Sequence, residues 1–475
     1  MQSYAINSNA FCPPPIYLYL LLLVLICQCK APLSEAPPNI VIINVDDMGW
    51  RDAGFMGSEF YETRHIDSLA ALAAVFTNGY ASAANCAPSR ACLMTGLWTP
   101  RHGIFTVGTS ERGASEDRKL VPVANETTLK QQLATLPEIL ATQGYQTCHA
   151  GKWHLSDNPL EYGFHRNIGG AQNGHPQSYY QPFGNVDLEA SSGDHLTNAI
   201  MDQVVDFVHA AKDPFFLYYA PYAVHTPIQP IDEFKSNYES KPSWQGQFNV
   251  DYATMIENLD HNLGRLVSVL KETGAWENTL LIFTSDNGGL YGITYQYPLR
   301  AGKGSYYEGG IRVPFFILWE NKVDPHEYAT AVTNLDLFPT LLEAAGVDLS
   351  QHLFDGVSLL PLLTSSTQIP ERPLFWHFPI YLQAYNVHHN QNRDSLFRTR
   401  PGSVIRSGDW KLHHYFEDDG LELYHLKEDI SEQHNLVQQH PEKAEELFNL
   451  LKTWRIEVDA PLPPAINPDF KPITM

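Results

Sequence analysis

The sequence predicts an α/β protein: a large domain around a central, mostly parallel sheet, followed by a small C-terminal unit of antiparallel strands and a helix. Three observations carry that expectation. Two unbroken apolar runs, residues 39–45 and 279–285, have the pattern of strands buried on both faces, as in parallel sheets. Strand patterns alternate with amphipathic helix patterns at roughly 195–211, 252–273 and 334–345, as in a layered α/β domain. Beyond residue 370 the pattern changes to short strands at 403–406, 410–413 and 422–426, separated by Gly-Asp and Asp-Asp-Gly turns, and then a helix at about 441–458.

At 475 residues the chain can bury a large core, and its length allows two or three domains, or one large and one small. The polar stretch 364–370 reads as a linker, which puts the large domain at 37–363 and the second unit at 371–475. Composition is that of a globular protein, 44% hydrophobic and 18% charged, and the net charge of −22 argues against a general polyanion binder such as a nucleic-acid protein.

The apolar run at 16–27 is too short to span a bilayer comfortably and has the length of a signal-peptide core, with Pro-rich coil after it. Residues 1–30 are therefore expected to be an export signal, giving a periplasmic or secreted protein with no membrane span in the mature chain. No Lys or Arg precedes Lys30, which is unusual for such a signal. Val24-Leu25-Ile26-Cys27 loosely matches a lipoprotein box, with Ile26 bulky where a small residue belongs, so a lipid anchor at Cys27 is the alternative. Loss of the leader leaves Cys86, Cys92 and Cys148, which form neither a disulfide framework nor a C-x-x-C zinc pattern.

The first apolar run stops at Asp46-Asp47 and the second at Asp286-Asn287. Ligand groups in open α/β sheets collect outside the carboxyl ends of strands, and this all-oxygen set suits Ca²⁺ or Mg²⁺ better than a soft metal. In isolation Asp-Asp could equally cap the next helix. Between the runs, Cys86-Ala87-Pro88-Ser89-Arg90 follows small residues. Pro88 fits the first turn of a helix, which places Cys86 near an N-terminus that favours an anion. The bland alternative is a small buried hydrophobe.

The longer string Cys86-x-Pro88-Ser89-Arg90-x-x-Leu93-x-Thr95-Gly96 resembles, without a mismatch, the signature of the type I, formylglycine-dependent sulfatases of the alkaline phosphatase superfamily, including bacterial arylsulfatases and polysaccharide sulfatases. Other stretches match that family's landmarks: Gly151-Lys152-Trp153-His154-Leu155, His225-Thr226-Pro227 after Ala220-Pro221, and the run from Arg300 to Ser305 into Tyr307-Glu308-Gly309-Gly310-Ile311-Arg312-Val313-Pro314. The resemblance covers nearly all of the chain beyond the leader. It implies an alkaline-phosphatase-like large domain, a Cys86 converted to formylglycine by a maturation enzyme, and Ca²⁺, or Mg²⁺, held by Asp46, Asp47, Asp286, Asn287 and modified Cys86. It also implies hydrolysis of sulfate monoesters, with Lys152 and Lys303 binding sulfate oxygens, His225 as general acid, His154 as base, and Arg90 reaching the nucleophile or a metal-ligand carboxylate.

A sulfated poly- or oligosaccharide, with galactose- or GalNAc-type sulfates favoured, is the substrate the resemblance implies, and on so acidic a chain its site must be a local basic pocket. The Gly-rich, aromatic stretch 169–180 with His175 is a candidate sugar subsite, and His377, Arg398, Arg400 and Arg406 are candidates to reach over the pocket. For those arginines ordinary surface charge is the competing reading. The superfamily also holds phosphodiesterases and phosphonate hydrolases, and a catalytically inactive glycan-binding relative is a further alternative. The intact set of reactive residues argues against the last.

Overall fold

The computed structural model describes residues 1–3, 5, 36–212, 214–365, 367–386 and 391–472. The expected export signal and the Cys27 anchor fall almost wholly outside these residues. No described helix is long and apolar enough to cross a membrane. Residues 37–475 form one compact unit.

Strands of the large part are β1 (Asn39–Val45), β2 (Ala74–Phe76), β3 (Gly79–Tyr80), β4 (Gln146–Gly151), β5 (Arg166–Ile168), β6 (Phe215–Ala220), β7 (Thr279–Ser285), β8 (Phe315–Trp319), β9 (His326–Tyr328) and β10 (Val332–Thr333). Among the described residues, eight of them build one sheet in the order β5-β4-β6-β1-β7-β8-β2-β9. The half from β5 to β7 is parallel throughout, whereas β8 runs antiparallel to both β7 and β2. The sheet is thus mostly parallel, as the apolar runs predict, with one interior strand, β8, reversed, which they do not.

Every residue of β1 and β7 is buried, and their side chains divide by alternation between two cores. Val41, Ile43 and Val45 face the helices Leu196–Ala210 and Val250–Glu272. Ile40 and Ile42 face the helices Cys86–Thr95, Leu136–Thr142 and Leu337–Ala344. The result is a helix–sheet–helix sandwich. The helix predicted at 334–345 opens with a 3₁₀ turn, Asn334–Asp336, before its α-helical part.

The C-terminal strands are β11 (Leu374–Phe378), β12 (Leu382–Gln383), β13 (Phe397–Thr399), β14 (Gly402–Ser407), β15 (Trp410–Tyr415) and β16 (Gly420–His425). Antiparallel β11-β14-β15-β16 carries the helix Pro441–Glu457 on one face, where Leu447, Leu451 and Trp454 pack on Ile405, Leu412 and Leu423. Its other face, through Leu374, Trp376, Phe378 and Val404, packs on Tyr80, Phe105, Tyr306 and Ile311. The first two residues of the expected linker, Thr364 and Ser365, end the helix Leu360–Ser365, and residues 367–370 precede β11.

One glycine sets how closely two of the parallel strands approach. Gly151 ends β4 at φ +105°, and a Cβ there would lie 2.0 Å from the Ala220 carbonyl oxygen of β6. The next amide, Lys152 N–H, donates to that same carbonyl at 2.6 Å. Gly193 also has a positive φ, +86°, but open space around it. Gly193→Ala should therefore cost only the left-handed penalty of about 1–2 kcal/mol. Gly151→Ala should cost clearly more, because backbone must also move. Urea denaturation of both variants checks this, and equal losses would show that the close approach is relaxed elsewhere.

Candidate active site

Register brings the chemistry together. Val45 of β1 pairs with Ser285 of β7, and Gly151 of β4 pairs with Ala220 of β6, so four parallel strands end at one level. Asp46 and Asp47 leave β1, Asp286 and Asn287 leave β7, Lys152 leaves β4, and the turn after β6 carries His225. The Asp47 amide donates to Asp286 Oδ1 at 3.2 Å.

Asp46, Asp47 and Asp286 are buried, and each meets a cation from a different part of the chain. Lys152 Nζ donates to both Asp46 oxygens at 2.9 and 2.8 Å. Arg90 binds Asp286 through Nε at 2.9 Å and Nη2 at 2.7 Å, and its Nη1 donates to the Lys152 carbonyl at 2.8 Å. Lys303 Nζ lies 2.7 Å from Asp47 Oδ1 and 2.8 Å from Oδ2. Burial pushes the Asp46 carboxyl up to about 7, with Lys152 pulling it down and Asp286 and Asp47 adding to the rise. At Asp47 burial acts upward too, but Lys303, His225 and Lys152 outweigh it and hold the group well below the usual carboxylate range. Asp47 also adopts a left-handed backbone, φ 62°, a region that Asp and Asn enter more readily than other non-glycine residues.

The carboxylate and amide oxygens of Asp46, Asp47, Asp286 and Asn287 fit a hard divalent cation, whereas the Cys86 thiol beside them is a soft donor unless it is converted to an oxygen. Ligand atoms of Asp46, Asp47, Cys86 and His225 lie within 4.8 Å of one another. Asn287 donates through Nδ2 to Asp47 Oδ1 at 2.8 Å and to the Gly288 carbonyl at 2.9 Å, while its Oδ1 is buried without a donor. A buried oxygen lacking a donor, beside three carboxylates, is what an oxygen-ligated cation would satisfy.

Cys86 is the first residue of the helix Cys86–Thr95, all of which is buried. The motif around it explains itself locally. Ser89 Oγ accepts from Asn334 Nδ2 at 2.9 Å, Thr95 Oγ1 donates to the Ala91 carbonyl at 2.7 Å, and Gly96 ends the helix at φ 69°. Arg90, one turn on from Cys86, is directed at Asp286. Burial raises the Cys86 thiol to about 11, although Lys152 and Lys303 oppose it. An unmodified Cys86 is thus a neutral thiol and a poor nucleophile.

A cavity of about 330 Å³ opens on Cys86, walled by His154, His175, His225, Lys303, Arg112 and Arg398. His225 Nδ1 donates to the Thr226 carbonyl at 2.7 Å, leaving Nε2 as the nitrogen 3.6 Å from Asp47 Oδ2. Burial, reinforced by Lys303, drops its pKa to about 3, against the pull of Asp47. His175 stacks on it with parallel rings 5.6 Å apart. His154 sits at φ 64°, its amide bonded to the Ala171 carbonyl at 2.9 Å and its Nδ1 buried without a partner. Burial, then Lys152 and Arg90, hold it neutral. Gly174 packs on this ring, because a Cβ there would come within 2.6 Å of His154 Cε1.

The structure therefore gathers Asp46, Asp47, Cys86, Arg90, Lys152, His154, His175, His225, Asp286, Asn287, Lys303 and Arg398. Lys152 is not part of the cavity wall; it is wholly buried on Asp46, and its charge is the strongest one acting on the Cys86 thiol. Three candidates are not brought to the cavity. His377 is buried in β11 with Nδ1 on Ser403 Oγ at 2.8 Å and Nε2 on the Pro461 carbonyl at 2.9 Å. Arg400 is held by Asp394 and by Glu417, the latter at 2.8 Å. Arg406 is buried over the Tyr80 ring. His377 and Arg400 are thus held by partners within the C-terminal part, whereas Arg406, whose Nε and Nη1 are buried without a partner, lines a different cavity. Arg112 and Tyr385 line the cavity unannounced by the sequence, since neither stands in a spaced motif.

Similarity to known proteins extends over most of the chain. The Sulfatase family profile matches residues 38–347, and the profile described as N-sulphoglucosamine sulphohydrolase, C-terminal, matches 302–457. A sulfatase of Formosa agariphila is 31% identical over 509 positions, covering 89% of this chain and 90% of that sequence. N-acetylgalactosamine-6-sulfatase of Homo sapiens is 30% identical, covering 72% of this chain and 68% of that sequence. The crystal structure of Ps i-CgsB in complex with k-i-k-neocarrahexaose superimposes with a TM-score of 0.72 at 29% identity, covering 91% of this chain and 95% of that one.

The ion pairs make a quantitative expectation. Lys152→Met strands a buried Asp46 carboxylate and should destabilise the chelator-treated protein by about 3–5 kcal/mol. Adding Asp46→Asn removes the stranded charge, so the double variant should regain part of that loss in urea denaturation. Strictly additive losses would show that the two groups do not act as a pair.

Proposed function

The chain belongs to the sulfatase family, a sulfuric ester hydrolase by that membership, and on this premise we propose that it removes sulfate from a sulfated poly- or oligosaccharide, using formylglycine made from Cys86 and one hard divalent cation, Ca²⁺ in first place. The observation that carries the reading is the position of Cys86: a neutral, buried thiol at a helix N-terminus, against three carboxylates and their cations, in the floor of a basic cavity. A maturation enzyme is the partner this requires. Asp46, Asp47, Asp286 and Asn287 would hold the cation, which supplies charge that lowers the pKa of a hydroxyl and offsets that of a sulfuryl group. Hydrated formylglycine supplies one hydroxyl as nucleophile and a second whose deprotonation frees the sulfate.

The chain's own groups do the rest. Lys303, on the cavity wall and anchored on Asp47, presents an ammonium to the sulfate oxygens. Lys152 and Arg90 act behind the nucleophile by fixing Asp46 and Asp286. His225, oriented by the Thr226 carbonyl, faces the site with Nε2; an arriving sulfate anion favours its protonated form, which then gives its proton to the leaving alcohol. His154, neutral and buried, accepts the proton of the second hydroxyl.

Two expectations follow. Cys86→Ala should fold with an unchanged melting curve and lose at least about 10³-fold in turnover of an aryl sulfate, the scale of removing a nucleophile. Mass spectrometry of the wild-type Cys86 peptide should show the aldehyde, and an active enzyme with an unmodified thiol would rule the mechanism out. Ca²⁺ should also raise the stability of the chelated protein, by about 2.7 kcal/mol at 100 times its dissociation constant. Asn287→Leu should remove that shift, and full activity in protein shown by elemental analysis to be metal-free would eliminate the cation.

A further inference from the structure

We propose that Arg112 and Arg398 form a subsite for a second anionic group on the sugar, an oxyanion carried close to the scissile sulfate, so that the preferred substrate is a doubly anionic saccharide. The inference rests on the sulfate-ester reading above and extends it to the rest of the substrate.

The argument starts from what these two side chains lack. The chain is strongly acidic, and cations near both residues have found carboxylates: Arg118 lies on Glu111, Arg393 on Asp418 and Glu422, and Arg400 on Asp394 and Glu417. Among the described residues neither Arg112 nor Arg398 has a carboxylate within ion-pair distance, and Asp47 acts on Arg398 only from further off. Among the described residues Arg112 donates only to the Val107 carbonyl, at 2.5 Å. Arg398 donates to two carbonyls, Gln383 through Nε at 3.0 Å and Lys303 through Nη1 at 3.1 Å. Neutral carbonyls orient a guanidinium without cancelling its charge. Both residues nevertheless line the cavity that holds Cys86. Arg398 is 9% exposed, and burial lowers its pKa; Tyr385, as charge and hydrogen-bond partner, opposes this, the repulsion of Arg112 adds to it, and Asp47 weakly opposes it. Two like charges kept together in a half-enclosed cavity are costly until an anion joins them.

Counting charge over the site leads to the same place. Lys152, Arg90 and Lys303 are each matched by a carboxylate, so they leave no net charge for a substrate. A divalent cation more than balances one sulfate ester. Arg112 and Arg398 then remain as two positive charges that a singly sulfated sugar does not use. Lys303 ties Arg398 to the reacting centre: its carbonyl holds Arg398 and its ammonium holds Asp47, so a lysine side chain separates the two. Tyr385, 61% exposed and stacked on the Arg398 guanidinium at 3.5 Å, adds an aromatic surface at the mouth for the ring itself.

The test compares kcat/KM for an aryl sulfate, a singly sulfated sugar, the same sugar with a second sulfate, and the same sugar with a carboxylate in place of the second sulfate. A sugar with a second oxyanion should be favoured at least about tenfold over the singly sulfated one, and the larger of the two ratios identifies the group as sulfate or carboxylate. Raised salt should shrink the ratio. In Arg112→Gln it should fall to within about threefold of one, and Arg112→Lys, a point charge without the guanidinium fork, should keep part of it. A wild-type ratio near one, or an undiminished ratio in folded Arg112→Gln, overturns the subsite while leaving the hydrolase reading intact. A correctly matured wild type that turns over none of the four esters overturns both. Should Arg112→Gln not fold, the wild-type ratio and its salt dependence decide alone.

Discussion

Three carboxylates buried within a few ångströms of one another are the constraint on which this structure turns. Isolated burial of one carboxylate costs several kcal/mol, and neighbours of like charge add to it. The parallel register of β1 and β7 nevertheless forces Asp46, Asp47 and Asp286 together. The fold answers with three cations drawn from separate stretches: Arg90 from the helix behind Cys86, Lys152 from the end of β4, and Lys303 from the loop that follows β7. The assembly is then neutral, and a divalent cation held there would make it locally positive. This is how a chain with a net charge of −22 can hold an anion site: positive potential is confined to a cavity whose walls exclude most of the solvent.

A second buried charge knot holds the loop that bears Lys303. Lys411 of β15 lies 2.9 Å from Glu308 and 3.0 Å from Glu432, and Tyr80 donates to Glu308 at 2.7 Å. At Glu308 burial is outweighed by Lys411, Arg312 and Arg406, which hold it at about 2, while burial pushes Glu432 up to about 7. The segment from Lys303 to Gly310 is further fixed from both sides. Arg398 and Thr399 donate to the Lys303 and Gly304 carbonyls, and the Gly288 amide donates to the Gly310 carbonyl. Gly288 and Gly310 have no room for a Cβ, which would lie 2.0 and 1.9 Å from backbone oxygens. The C-terminal sheet is therefore part of the active-site frame. It positions Lys303 as firmly as the parallel sheet positions Asp47.

What the sequence made legible follows from where the information lies. A strand buried on both faces must be apolar along its whole length, so β1 and β7 announce themselves, and the polar residues that end them mark the site. The Cys86 motif is legible for the same reason: the helix start, the Arg90 reach and the Gly96 stop are all local. Partners distant in sequence are a different matter. Nothing near Arg400 shows that Glu417 will take its charge, and nothing near His377 shows that Pro461 and Ser403 will take both ring nitrogens. The reversed β8 is apolar like its parallel neighbours, because direction leaves no trace in composition. Arg112 was invisible for the converse reason. In the sequence Glu111-Arg112 looks like a neighbouring ion pair, yet in the fold Glu111 serves Arg118 and Arg112 turns to the cavity. A charged residue declares its function by the partner it lacks, and that absence becomes visible only when the chain has folded around it.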